Sequence, residues 1–152
     1  MYHDFTENGF FIRYPADWTL EEDAESNGET ILLQAPGECG FFSLSRYPAS
    51  MSADELAKIA LNAITEEYAN CDISPARDSY GTYTLTGFDV EFFCMDLPCS
   101  VTIRAIRHSD ATYVIFTQAI DALEESIKEM FVEITRMWVE RLNSTPEQNP
   151  GT

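Results

Sequence analysis

The chain has 152 residues, 45% of them hydrophobic, which suits one domain with a substantial core. Its 26 acidic and 9 basic residues leave a formal charge of -17. Such a surface repels phosphate backbones and anionic lipid, which argues against nucleic-acid and membrane partners and leaves a basic protein, a cation or plain solubility. No stretch approaches the ~18–20 apolar residues of a membrane span, and residues 1–9 lack the basic start and apolar run of a secretory signal. The expected location is therefore cytoplasmic, with the four cysteines as reduced thiols.

Residues 10–14 (Phe-Phe-Ile-Arg-Tyr) read as a strand ended by Pro15. The acidic stretch 21–28, with Glu21, Glu22, Asp23 and Glu25, ends in the turn signal Ser26-Asn27-Gly28. It reads as a solvated loop or as a contact for a basic partner. Residues 30–35 form the next strand, 36–40 a loop, and 41–47 a third strand. Ser52 and Glu55 make a capping box that opens a helix. Leu56, Ile59, Ala60, Ala63, Ile64 and Tyr68 share one face of that helix, which should stop near Asn70.

Strand signals follow at 73–80, interrupted by Pro75, and then at 82–85, 88–94, 100–107 and 112–118. Phe88, Val90, Phe92 and Cys94 point one way, and Asp89, Glu91 and Phe93 the other. Val101, Ile103 and Ala105 share a face opposite Thr102 and Arg104, and Ser109-Asp110 is the turn before the last strand. The final helix is predicted from about residue 122 to 142, capped by Asp121 with Glu124 at the capping-box position. Its stripe is Leu123, Ile127, Met130, Phe131, Ile134, Met137 and Trp138. Residues 1–142 are expected to form a single domain, and 143–152 a disordered polar tail.

The order is β-β-β-α-β-β-β-β-α. Short connections imply a mostly antiparallel sheet of about six or seven strands, packed between helices in an α+β fold.

On these residues the chain resembles the PsbP-like superfamily, which includes the photosystem II extrinsic protein, bacterial DcrB-like proteins and a eukaryotic Ran-release factor. The resemblance is carried by Phe11-x-Arg13-Tyr14-Pro15-x-x-Trp18, by Thr30-Ile31-Leu32-Leu33 and by Ser52-x-x-Glu55-Leu56. Val114-x-Phe116 and, in the last helix, Phe131-x-x-Ile134 extend it. It implies a PsbP-like sandwich that docks to other proteins, with no catalytic apparatus and no cofactor. The leader of an envelope DcrB-like protein is not seen, and no motif transfers residue by residue to a metal or Ran site. Some cytoplasmic DcrB-like proteins are similar to chaperones that shield apolar segments of secreted cargo.

Four constellations could carry function. With residues 95–98 as a four-residue hairpin loop, Cys94 faces Cys99, giving a disulfide, a redox switch, half a zinc site or simply two packed small side chains. The same register sets Asp89 by Arg104 as an exposed pair that fixes the pairing. His108, between Arg107 and Ser109-Asp110, reads as an exposed turn histidine, since nothing resembles a nucleophile elbow. The aromatics Phe41, Tyr47 and Phe93, with Met95, either lie under the first helix or form an open patch rimmed by Glu21, Glu22 and Asp23.

The favoured reading is a non-enzymatic, protein-binding or chaperone-like module that holds an apolar or basic partner on that patch. A redox or metal-responsive protein built on Cys94 and Cys99 is the alternative, and a homodimer by edge-strand pairing a third. No metal site is assigned.

Overall fold

The computed structural model describes residues 1–7, 10–25, 28–120 and 125–144. Strands β1 (Tyr2–Glu7) and β2 (Phe10–Pro15) form a separate antiparallel hairpin. Next come β3 (Thr19–Glu25), β4 (Gly28–Gln34) and β5 (Gly40–Pro48), then helix α1 (Ala53–Glu67). Strands β6 (Asp72–Tyr80), β7 (Tyr83–Cys94), β8 (Leu97–His108) and β9 (Ala111–Ile120) lead to helix α2 (Glu125–Ser144). The large sheet has seven strands in the order β3-β4-β5-β9-β8-β7-β6, every neighbouring pair antiparallel.

The α+β class, the antiparallel sheet and the two helices agree with the sequence reading. Two strands do not: β1 was not foreseen, and the acidic stretch is strand β3 rather than a loop. Acidic residues are poor strand formers in general, but β3 is an outer strand with Glu21, Glu22 and Asp23 exposed. Charge on an outer strand blocks unwanted pairing of its free edge. Pro75 does the same on β6, the opposite edge, where the missing N–H is tolerated. Residues 82–85 and 88–94 merge into the continuous β7.

Each face of the sheet has its own core. On one, Leu56, Ala57 and Ile64 of α1 bury Val90, Phe92, Cys99, Val101, Ile103 and Ala105. Ser52 caps α1, its Oγ accepting the Glu55 N–H at 3.1 Å. The predicted stripe is rotated, since Ile59 is 58% exposed while Ala57 is buried. On the other face, Ile31, Leu33, Phe42, Leu44 and Ile115 meet Ile127, Phe131, Ile134, Trp138 and Val139 of α2. Phe10 and Ile12 of β2 join that core, and Trp18 sets its ring edge-on to Phe131 at 5.8 Å. The Tyr14-Pro15-x-x-Trp18 signature is thus a turn, closed by the Trp18 N–H to Pro15 carbonyl bond, that drops Trp18 onto α2.

The covering is offset. Helix α1 packs over β7, β8 and β9, whereas α2 and β2 cover the opposite face around β4, β5 and β9, with α2 also touching β6. The β6–β8 end of the α2 face is left partly open beside the helix, and that gap is a cleft.

The predicted cap of α2 by Asp121 and Glu124, the stripe residue Leu123, the turn at 26–27 and the tail from 145 onward lie outside the described residues.

Candidate functional site

The cleft, of about 340 Å³, runs between α2 and the α2 face of β6, β7, β8 and β9. At its base lies Arg104, only 8% exposed. Its Nε donates to Asp78 Oδ2 at 2.8 Å and its Nη2 to Asp89 Oδ1 at 2.7 Å. Nη1 donates to the carbonyls of Phe88 at 3.1 Å and Ile103 at 3.0 Å. Directly across the ladder is Gly87, and a Cβ there would lie 1.9 Å from the Ile103 carbonyl oxygen. Removing the side chain at residue 87 is what lets the strand sit this close to the Ile103 carbonyl. Burial opposes the Arg104 charge, but the hydrogen bonds it donates to Asp78 and then Asp89, with the charges of both carboxylates, outweigh it and hold the guanidinium more firmly protonated.

Beside Arg104, the hydroxyls of Thr102 and Thr117 share a short hydrogen bond. Lys128 of α2 reaches over to donate to Ser100 Oγ at 3.2 Å, and Thr135 turns its hydroxyl back to the Phe131 carbonyl. Tyr80 also lines the cleft, its phenol held above the usual tyrosine range by burial and by the Asp78 carboxylate. Apolar contact comes from Ile115, Phe131 and the 57% exposed Val132.

The sequence reading treated Arg104 as an exposed register device. It is buried, its second partner Asp78 comes from the edge strand β6, and Asp89 reaches it diagonally because Asp89 pairs with Thr102 in the ladder. One signal was available: the alternation that buries Val101 and Ile103 against α1 necessarily turns Thr102 and Arg104 toward the other face, which α2 covers. What could not be read was which part of that face α2 leaves open.

The hairpin register explains two corrections. Residues 95–96 form a two-residue turn with φ of 53° at Met95 and 66° at Asp96, so Cys94 pairs with Leu97 and Cys99 with Phe92. Cys94 does not face Cys99, and the four-residue loop is replaced by a turn of the type that matches strand twist. The slip is two residues, so every predicted face survives. None of the four cysteines is in a disulfide; Cys99 is buried and points its Sγ at the Leu97 carbonyl. Among the described residues no three His, Cys, Asp or Glu side chains group to hold a metal ion.

His108 is not an exposed turn residue. It is 9% exposed and sets its ring edge-on to Tyr83 at 5.3 Å, while Asp110 pairs with Arg46 at 3.7 Å.

The predicted partner patch divides into two places. Phe41 and Tyr47 lie on the α1 face of β5, both half-buried, with Phe41 stacked on Phe116 at 5.8 Å and Tyr47 packed toward the α1 core. Phe93 lies on the α2 face of β7, 72% exposed, beside the 91% exposed Met95 at the turn. Glu21, Glu22 and Asp23 sit on β3, five strands from β7 and so roughly 24 Å away. They cannot rim Phe93 and Met95. Glu21 and Asp23 border the β3–β5 half of the α1 face, across from Leu32 and Thr30, while Glu22, across from the α2-side core residue Ile31, lies on the opposite face.

The β7–β8 tip stands free of its neighbours. Strand β6 begins opposite Glu91 and β9 ends opposite Cys99, so residues 93–98 project beyond both. Phe93, Met95 and the 37% exposed Leu97 crowd this projection.

No family model and no curated protein matches the chain. Among solved structures, the chain is similar to a protein of Bacteroides thetaiotaomicron, with a TM-score of 0.53 and 16% identity over 94% of this chain. The match spans 46% of that protein's length. A second similar structure is LpqN of Mycobacterium tuberculosis, involved in cell envelope biogenesis, with a TM-score of 0.47 and 12% identity over 85% of this chain and 79% of LpqN. The first likeness shows the α+β fold. No helix among the described residues is long and apolar enough to cross a membrane.

Proposed function

We propose that this chain is a non-enzymatic protein-binding module that docks through the free tip of the β7–β8 hairpin. The observation that carries the reading is the exposure of Phe93 at 72% and Met95 at 91% on a segment that neither neighbouring strand covers. Aromatic and methionine side chains are both enriched at interfaces. The partner would present an apolar groove or an apolar segment, in keeping with the chaperone-like role suggested by the resemblance to PsbP-like proteins.

A second reading rests on the acidic strand β3. Glu21 and Asp23 on the α1 face of β3, beside the half of that face that α1 leaves open, would favour a basic segment there, and with Glu22 they would repel a second copy pairing along that edge. Pull-down from the native host at low and high salt separates the two. A partner retained in high salt supports the apolar tip, and one lost in high salt moves the site to β3.

A further inference from the structure

We infer that the cleft beneath α2 is a binding site for a small organic cation with an apolar body. The cleft's volume of about 340 Å³ lies within the range of small-molecule sites. Its walls divide by chemistry. Phe131 and Val132 of α2 and Ile115 of β9 supply apolar contact, while Asp78, Asp89 and Glu91 line the β6–β7 side. Three carboxylates face two cations, Arg104 and Lys128, so the lining carries an excess of negative charge. Arg104 binds one oxygen of Asp78 and one of Asp89, and Glu91 has no ion pair among the described residues. Asp78 and Asp89 remain 42% and 49% exposed, open to a ligand from the cleft.

The floor adds a polar hook. Thr117 is 5% exposed, and its hydroxyl and that of Thr102 bond to each other. Each hydroxyl oxygen keeps lone-pair capacity beyond that bond, which can accept from an ammonium group. The described carboxylates do not group as a metal site, so spaced anions beside an apolar wall favour an extended organic cation over a bare ion. An anionic ligand is disfavoured by the lining and by the chain's net charge of -17.

Benzylamine, benzyl alcohol and benzoate share a ring and differ in charge, so titrating each into the 15N-labelled chain at neutral pH reads the proposal directly. Benzylamine should shift the amides of Thr102, Thr117 and Val132 and bind at least about threefold more tightly than the alcohol, with benzoate weakest. Two variants at exposed or unpaired positions avoid disturbing Arg104. Glu91→Gln and Val132→Arg should each weaken benzylamine about threefold or more while the thermal midpoint stays near wild type. Equal binding of the amine and the alcohol would overturn the assignment. So would shifts confined to other surfaces, insensitivity to both variants, or no response to benzylamine in the millimolar range.

Discussion

Replacing Arg104 by Met tests whether the cleft is pinned by a buried cation or merely decorated by a surface pair. Met keeps most of the apolar stem, so little cavity opens. Two charged hydrogen bonds, at 2.8 and 2.7 Å, are lost, but Asp78 and Asp89 are 42% and 49% exposed and regain water. Each of these is therefore worth only about 0.5–1 kcal/mol. The carbonyls of Phe88 and Ile103 lose the Nη1 donor beneath the helix-covered face, at about 1 kcal/mol each. The expected loss is about 3–4 kcal/mol, or roughly 10 °C in the melting temperature of a chain this long. Urea unfolding followed by tryptophan fluorescence suits the measurement, because Trp18 and Trp138 are both buried in the core that α2 closes. Arg104→Lys, which keeps the charge but not the fork, should fall between the two. A loss within about 0.5 kcal/mol, the value of an exposed pair, would refute the reasoning.

Other outcomes follow from the same contacts. Gly87→Ala should destabilise by about 2–4 kcal/mol, because its methyl would sit 1.9 Å from the Ile103 carbonyl; a chemical-denaturation midpoint equal to wild type would contradict this. Ser52→Ala should cost about 1 kcal/mol through the lost cap on α1, read in the same urea titration. In air, Cys94 and Cys99 should stay reduced by thiol counting and mass spectrometry, since each faces a different partner across the hairpin. The Cys71 thiol is held above the usual range, by burial first and then by the Asp72 carboxylate. A proton held more tightly in the folded state stabilises it below the ordinary thiol pKa, and that contribution disappears as pH rises through the folded value. Alkylation of Cys71 should accordingly be slow near neutral pH and climb at higher pH than for an unstructured thiol. A rate profile matching free cysteine would count against that environment.

Much of the fold was legible because alternation and capping are local. The faces of β7 and β8, the Ser52 cap and the buried run Ile127, Phe131, Ile134 and Trp138 all follow from spacing along single elements. Errors arose where the deciding contact lies elsewhere in the chain. Strand β3 exists because β4 pairs with it, against the poor strand propensity of its acids. The two-residue turn at Met95-Asp96 needs left-handed backbone at both residues, and only Asp96 is a type that favours it. Three features of the cleft depend on strand order and helix placement: Asp78 reaching Arg104, Lys128 bridging to Ser100, and the gap beside α2. Residue spacing does not encode these. Phe93 was picked out from its phase and Met95 from the loop that follows it, but their separation from Phe41 and from the β3 acids required the topology.

The docking claim is tested most directly by comparing Phe93→Ser/Met95→Ser with wild type in a native-host pull-down at high salt, with circular dichroism to confirm that both chains fold. Both side chains are largely exposed, so the double variant should keep its fold and its melting temperature within about 2 °C. The account predicts that a partner captured by wild type is lost from the folded double variant. Undiminished capture by the folded double variant would contradict it.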